Sequence, residues 1–146
     1  KQYKSLFIVN DRLDLAIALD SDGVHLGQND LPTQLARQIL GDQKLIGKST
    51  NNLKEAKEAQ SKGCDYIGFG PIYSTERKPN KNPIGINALK EVVNAVSIPL
   101  FAIGGIDISN TKEVASAGAQ RIAVIEAIMG SSDPKGATIK LLELLP

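Results

Sequence analysis

Short apolar runs recur along the chain and constrain its fold more than any other feature. Six of them begin at positions 6, 23, 44, 66, 98 and 121, and read LFIV, GVHLG, KLIG, YIGFG, IPLFAIGG and RIAVIEAI. A short, continuous apolar run between turn signals is typical of a strand that is buried on both faces. The sequence therefore predicts six fully buried strands.

Amphipathic stretches separate these runs. In LKEAKEAQSKG, from position 53, and TKEVASAGAQ, from position 111, apolar residues recur at helical spacing. Asn52 with Glu55, and Asn110 with Glu113, have the spacing of a capping box, and Asp133 precedes a proline as an N-cap residue often does. The pattern thus predicts a helix after each strand.

Alternating strands and helices predict a parallel sheet with right-handed crossovers, which either stays open and doubly wound or closes into a (β/α) barrel. A complete (β/α)₈ barrel needs about 200 residues or more, and this chain has 146. Six units therefore indicate either a doubly wound sheet or a barrel that lacks one quarter. We expect a single domain over residues 1–146.

Charge and hydropathy narrow the functional class. Lysine and arginine number 17 against 16 aspartates and glutamates, so no excess charge attracts nucleic acid or an anionic membrane. The sequence has no run of about 18 apolar residues and no signal-peptide pattern. Cys64, the single cysteine, has no partner for an internal disulfide. We expect a cytoplasmic protein that acts on small molecules, without nucleic-acid or membrane partners.

Carboxylates follow the first two runs. Asn10 and Asp11 come directly after LFIV, and Asp30 comes shortly after GVHLG. The carboxyl ends of parallel strands meet at one edge of a sheet, so both carboxylates could converge on one Mg²⁺ together with a substrate phosphate. Helix capping is the alternative interpretation of these residues.

Candidate phosphate-binding groups follow the last two runs. Gly104 and Gly105 end the fifth run, and VIEAIM, which contains Ile125 and Glu126, ends the sixth. Backbone N–H groups at the ends of the last two strands of a barrel frequently bind phosphate. An ordinary tight turn is the alternative for the glycine pair.

The connection at 71–85 is long, polar and rich in proline and asparagine, which indicates a functional loop or lid. Thr75 lies early in it, and Arg77 and Lys78 could close over an anionic substrate. Solvated loop charges are the alternative.

Ser49 and Thr50 follow the KLIG run at the same predicted edge of the sheet, where their hydroxyls could bind a ligand or cap a helix. His25 lies inside the GVHLG run. We interpret it as a structural histidine, because a buried imidazole usually needs only a hydrogen-bond partner.

Three segments together closely resemble the thiamine phosphate synthase family: VNDRLDLAIALDSDGVHLGQNDLP, KSTNNLKEAKEAQSKGCDYIGFGPIYST, and IPLFAIGGI with AGAQRIAVIEAI. The resemblance runs from about position 6 to the end. It implies a TIM-type (β/α) barrel of which this chain holds about six of the eight strand-helix units, the third to the eighth. It also implies an enzyme that joins 4-amino-2-methyl-5-hydroxymethylpyrimidine diphosphate, here called pyrimidine diphosphate, to thiazole phosphate and releases diphosphate.

The resemblance implies roles for individual residues at the pyrimidine subsite. Asp11 and Asp30 match the magnesium ligands of the family. Asn10, Ser49 and Lys78 match the catalytic residues that hold the pyrimidine diphosphate. Neutralisation of the diphosphate charge is the physical task that these residues share with Mg²⁺.

At the thiazole phosphate subsite the matching residues are Thr75, Arg77, Gly105, Ile125 and Glu126. Most of them would act through backbone N–H groups. Arg77 stands where threonine is common and could add a phosphate contact. Glu126 stands where serine is common and places negative charge near the phosphate.

The family's Gln-x-Arg-x-Lys diphosphate clamp belongs to an earlier strand that is not in this sequence. A barrel without two units would expose strand edges, so we expect a homo-oligomer, domain exchange or an N-terminal segment that completes the barrel.

Two other functions remain open, a related thiazole tautomerase and a non-catalytic module that binds a phosphate ligand. In the tautomerase a histidine follows the serine at the end of the corresponding strand, where this chain has Thr50. The Asp11 and Asp30 pair favours the synthase.

Overall fold

A computed structural model of the protein describes residues 5–76 and 81–146. Each of the six apolar runs contains a strand, as predicted. Within the described residues the elements are β1 (Ile8–Asn10), α1 (Leu13–Ala18), β2 (Gly23–Leu26), α2 (Thr33–Leu40), β3 (Leu45–Thr50), α3 (Leu53–Ser61), β4 (Tyr66–Phe69), α4 (Gly85–Ala95), β5 (Leu100–Ile103), α5 (Thr111–Ser116), β6 (Ile122–Ala123), α6 (Glu126–Met129) and α7 (Pro134–Glu143). None of these helices is both long and apolar enough to cross a membrane.

The strands form one curled, parallel, six-stranded sheet whose spatial order is the same as the sequence order. A doubly wound sheet reverses its strand order near the middle. The sequential order therefore excludes the doubly wound alternative and leaves the curled α/β architecture of (β/α) repeats.

The hydrophobic core lies between the helices and the convex face of the sheet. Alternate residues of each strand point to this face. Fully buried side chains there come from strands and helices alike: Val24, Leu26, Ile46, Ile67, Phe69, Ala102, Ala36, Ala56, Leu89, Val92 and Val114.

The prediction that the strands are buried on both faces is wrong, because the concave face of the sheet is partly exposed. His25, Ser49, Tyr66 and Phe101 are only partly buried there, and Ile103 is 39% exposed. The apolar runs contain positions of both faces, and hydropathy alone does not say which face the helices cover. The concave face is consequently free to carry polar groups.

Two of the predicted helix caps are confirmed. Asn52 Oδ1 accepts a hydrogen bond from Glu55 N at 2.9 Å, and Asn52 Nδ2 donates to Glu55 Oε1 at 2.7 Å. Asp133 Oδ1 accepts from Gly136 N at 2.9 Å and caps α7. These caps fix where α3 and α7 begin.

The predicted capping box at Asn110 is wrong, although α5 does begin after this residue. The Asn110 side chain instead accepts from Asp107 N and donates to Gly105 O, both at 2.9 Å. It therefore stabilises the turn after β5 rather than its own helix.

An ion pair joins α2 to the residue before β4. The Arg37 guanidinium donates to Asp65 Oδ2 at 2.6 Å, to Lys44 O at 2.6 Å and to Gly41 O at 3.1 Å. Asp65 Oδ2 also accepts from Ile46 N at 2.7 Å. This cluster fastens the sheet at the end opposite to the carboxyl ends of its strands.

Candidate active site

The end of β1 places Asn10 and Asp11 at the carboxyl edge of the sheet. Asn10 is the last residue of the strand and is exposed. Asp11 has a φ of 64°, which is uncommon for a residue other than glycine and is adopted more readily by aspartate than by most. Asp11 N donates to His25 O at 2.8 Å, which anchors this turn to β2.

Asp30, in the loop after β2, lies near Asp11. Its Oδ2 accepts from Gly27 N at 2.6 Å. A Cβ atom at Gly27 would lie 3.0 Å from Asp30 Oδ2 and 4.0 Å from Asp11 Oδ1. The missing side chain of Gly27 therefore leaves room between the two carboxylates, which the structure brings together as the sequence predicts.

Asp11 and Asp30 suit a hard cation whose remaining ligands are water and substrate oxygens. Among the described residues, no group of three or more histidine, cysteine, aspartate and glutamate side chains lies close enough to hold a metal ion. Zinc sites need three or four such ligands. Mg²⁺ commonly takes one or two carboxylates and completes its shell with water and substrate phosphate, so the donor set fits Mg²⁺.

Ser49 lies on the concave face near the end of β3, where it contacts His25. The Ser49 hydroxyl is 2.9 Å from His25 Nε2, and the Tyr66 hydroxyl is 3.1 Å from His25 Nδ1. Burial, followed by the charge of Asp65, raises the pKa of Tyr66 to about 12, so the phenol is protonated at neutral pH. His25 thus has hydrogen-bond partners on both ring nitrogens, and one of them, Ser49, is a candidate substrate ligand.

Two glycines make room for these rings. A Cβ atom at Gly47 would overlap the Tyr66 ring, and one at Gly68 would lie 3.3 Å from His25 Cε1. Tyr66 also packs edge-on against Phe101, with ring centroids 5.4 Å apart. The glycines inside the KLIG and YIGFG runs therefore shape the concave face.

Thr50 does not reach this site. Its side chain is buried, and its hydroxyl donates to Gly68 O at 3.1 Å. Gln28 does reach it, because its Nε2 donates to Ser49 O at 2.5 Å. Of the two hydroxyls that the sequence placed at the end of β3, only Ser49 faces the concave side.

The turn after β5 packs tightly on the loop after β4. Gly104 and Gly105 have φ values of 98° and 64°, and a Cβ atom on either would overlap the loop at Pro71 or Ser74. Among the described residues, no hydrogen-bond acceptor pairs with Gly105 N. This amide is therefore available to a ligand.

Ile125 and Glu126 follow β6. Ile125 is the N-cap residue of the four-residue helix α6 and is 47% exposed. The Glu126 side chain folds along α6, with its Oε1 against Gly130. Its carboxylate consequently lies at the far end of α6 from the end of β6.

The loop after β4 is described only in part. Thr75 is partly buried, whereas Arg77 and Lys78 lie outside the described residues. Lys81 is a cation that the sequence reasoning missed, and its Nζ donates to Asn51 Oδ1 at 3.0 Å. It stands in the same polar segment as Lys78, and the contact with Asn51 brings it to the end of β3.

A second contact of this loop involves Tyr73. Its hydroxyl donates to Glu113 Oε2 at 2.7 Å. Burial, together with this hydrogen bond and the Glu113 charge, raises the pKa of Tyr73 to about 12. Tyr73 thereby ties the loop after β4 to α5.

The fold and the position of the candidate site together define a class of protein. The chain is a parallel (β/α) protein whose candidate functional groups gather at the carboxyl ends of its strands, where proteins of this architecture place their active sites.

The chain belongs to the thiamine monophosphate synthase family, whose model matches residues 1–128. It is 54% identical over 145 residues to the thiamine-phosphate synthase of Prochlorococcus marinus strain MIT 9303, covering 99% of this chain and 41% of the relative. The thiamine-phosphate synthase of Synechocystis sp. is 51% identical over 145 residues, with 99% and 42% covered. The chain thus spans about two-fifths of the length of these relatives.

Solved structures agree with this assignment. The thiamine phosphate pyrophosphorylase from Pyrococcus furiosus superposes with a TM-score of 0.89 at 43% identity, covering 98% of this chain and 68% of that one. A 3-hexulose-6-phosphate synthase superposes with a TM-score of 0.69 at 19% identity, covering 92% and 67%, which supports the fold alone.

Proposed function

We propose that the protein is a thiamine phosphate synthase that joins pyrimidine diphosphate to thiazole phosphate and releases diphosphate. Family membership supports this activity, and the observation that carries it is the convergence of Asp11 and Asp30 beside Gly27. A diphosphate leaving group needs charge neutralisation, which two carboxylates with Mg²⁺ are suited to organise. Neither the tautomerase nor the binding-module alternative gains support from the relatives.

In this proposal Asp11 and Asp30 hold Mg²⁺, which when bound would neutralise the charge that develops on the diphosphate. Asp30 Oδ2 is fixed by Gly27 N. Asp11, which has a positive φ, directs its carboxylate toward Gly27 and Asp30. Both carboxylates are therefore oriented before substrate arrives, which is the condition for efficient electrostatic stabilisation.

The remaining residues orient the substrates. Asn10 and Ser49, with Lys78, hold the pyrimidine diphosphate. The bond between the pyrimidine methylene carbon and the diphosphate oxygen breaks, its electron pair leaves with diphosphate, and the thiazole nitrogen lone pair forms the new C–N bond. The protein's task is to align these atoms and exclude water.

At the thiazole phosphate subsite, five residues from the segments that follow β4, β5 and β6 contribute. Gly105 offers an amide without an acceptor among the described residues, and Ile125 stands at the end of the next strand. Thr75 belongs to the loop after β4, and Glu126 adds its backbone. Arg77, which lies outside the described residues, is proposed to add its charge. Backbone N–H groups bind phosphate without bringing a titratable charge.

The six units correspond, in this proposal, to the third to the eighth strand-helix units of a TIM-type barrel, within one domain over residues 1–146. Among the described residues β1 pairs only with β2, and β6 only with β5. Further (β/α) units beside β1 and β6 complete the barrel in this proposal; a second copy of the chain could supply strands, but not the diphosphate clamp, which is not in this sequence. Light scattering on the 146-residue chain tests self-association, which a stable monomer of 15.6 kDa would contradict.

Calorimetry with Asp11→Asn tests the magnesium site. We expect the variant to bind pyrimidine diphosphate in the presence of Mg²⁺ roughly 100-fold more weakly, because one of two anionic ligands is lost. Asp42→Asn is the matched control, since Asp42 is exposed before β3, at the opposite end of the sheet. Equal Mg²⁺-dependent affinity of Asp11→Asn and the wild type would remove the metal assignment.

A further inference from the structure

The concave face carries a chain of three hydrogen-bonding side chains from three neighbouring strands. Tyr66 on β4 contacts His25 on β2, and His25 contacts Ser49 on β3, at 3.1 and 2.9 Å. Ser49 is a substrate ligand in the proposed function, whereas the other two have no role in it. The positions of the hydrogens decide what Ser49 can offer a ligand.

The phenol proton of Tyr66 defines the tautomer of His25. In residues 5–76 and 81–146, no second acceptor lies within hydrogen-bonding distance of the Tyr66 hydroxyl. The phenol donates well, and an unprotonated imidazole nitrogen accepts better than a phenol oxygen. Tyr66 therefore donates to Nδ1, and the proton of the neutral imidazole is on Nε2.

This tautomer makes the Ser49 hydroxyl oxygen a hydrogen-bond acceptor. His25 Nε2–H donates to Ser49 Oγ, so the serine proton does not point at the imidazole. The Ser49 backbone is also held, because Gln28 Nε2 donates to Ser49 O at 2.5 Å. The hydroxyl is thus left with its proton for a ligand on the open concave face.

The surroundings indicate which ligand atom accepts that proton. Ser49 precedes the strand end by one residue and shares the concave face with Tyr66 and Phe101, whose rings are in edge contact. Asp11 and Asp30, by contrast, lie beyond the strand ends. A planar heterocycle fits beside aromatic rings, and the phosphates fit beside the carboxylates with their cation.

We propose that Tyr66 and His25 are positioning residues that make the Ser49 hydroxyl a hydrogen-bond donor to a ring nitrogen of the pyrimidine. This inference depends on the proposed function for the identity of the ligand, but the tautomer of His25 can be measured without substrate.

Nitrogen-15 NMR of the imidazole tests the tautomer. We expect a pyrrole-type Nε2 and a pyridine-type Nδ1 in the wild type, and a shift toward a tautomer mixture in Tyr66→Phe. His25 is the only histidine of the 146 residues, and His25→Gln identifies its signals. Tyr73→Phe, which removes a phenol bonded to Glu113, should leave them unchanged. A protonated Nδ1 in the wild type would overturn the proposal.

Binding measurements test the role of the array. Ser49→Ala should weaken Mg²⁺-dependent binding of pyrimidine diphosphate about tenfold and Tyr66→Phe about threefold, as expected for one lost and one misdirected hydrogen bond. Tyr66→Phe combined with Ser49→Ala should bind like Ser49→Ala alone, because Tyr66 acts through Ser49. Additive losses would indicate a merely structural Tyr66 and contradict the proposal.

Binding of inorganic diphosphate, which has no pyrimidine ring, distinguishes recognition of the ring from recognition of the phosphates. Ser49→Ala should bind it with Mg²⁺ as the wild type does, and His25→Gln should retain part of the pyrimidine diphosphate affinity because a glutamine amide can replace Nε2–H. An equal loss of inorganic diphosphate binding would place the Ser49 donor on a phosphate and overturn the inference. A wild type that shows the expected tautomer but binds no pyrimidine diphosphate would refute the proposed function instead.

Discussion

At the scale of single residues, the smallest side chains determine where the larger polar ones can lie. Gly27 leaves room between Asp11 and Asp30, and Gly47 leaves room for the Tyr66 ring. Neither glycine has a positive φ, so their task is steric rather than conformational. A substitution at either position is therefore expected to act through the neighbouring side chain.

Gly47→Ala tests this interpretation. The new Cβ atom would overlap the Tyr66 ring, which is held by His25 and Phe101. We expect the free energy of unfolding in urea to fall by about 1–3 kcal/mol, as for other overpacked interiors. In a Tyr66→Leu background the same substitution should cost much less, because leucine ends short of the phenol. Equal losses in both backgrounds would show that the ring is not the obstacle.

The sequence was sufficient to predict the placement of some candidate site residues and not of others. Asp11 and Asp30 could be predicted because each follows an apolar run, and the ends of parallel strands lie side by side. The contacts of His25 with Ser49 and Tyr66 span 24 and 41 positions, and no local pattern specifies such pairs. Arg77 and Lys78 lie outside the described residues, so their predicted roles remain predictions.

At the scale of elements, short polar side chains connect the (β/α) units. The apolar runs predicted every strand, and the capping pattern predicted the start of α3 at Asn52. It also predicted the start of α5 after Asn110 but not the contacts of the Asn110 side chain. An asparagine can hydrogen-bond either to the helix that follows or to the turn that precedes, and spacing alone does not choose between them. The Arg37–Asp65 pair was not predicted, since its partners come from different units.

Asp65→Ala tests how much this pair stabilises the sheet. The variant removes an acceptor for both Arg37 and Ile46 N. We expect the free energy of unfolding to fall by about 2 kcal/mol, because a charged hydrogen bond is lost and a backbone donor is left unpaired. Glu58→Ala, which breaks an exposed pair with Lys62 within one helix, should change it little. Similar effects of both substitutions in a urea titration would contradict the structural role of Asp65.

At the scale of the whole molecule, the apolar core and the candidate active site lie on different faces of the sheet. Apolar residues fill the space between the helices and the convex face, while the concave face and the carboxyl ends of the strands carry the polar groups. The number of strands in the described residues and their parallel direction could be predicted from periodicity. Periodicity alone did not give their spatial order, and so did not decide between an open, doubly wound sheet and a curled one. That choice depends on how neighbouring strands twist and pack, which no single run encodes.

The proposed activity of the concave face and the strand ends is the Mg²⁺-dependent formation of thiamine phosphate. Its most direct test incubates the protein with pyrimidine diphosphate, thiazole phosphate and Mg²⁺ and follows both products by chromatography. We predict equal amounts of thiamine phosphate and diphosphate, no product when Mg²⁺ is chelated, and a rate at least about 100-fold lower in Asp11→Asn. No product from a protein that binds both substrates, or a rate that chelation leaves unchanged, would contradict it.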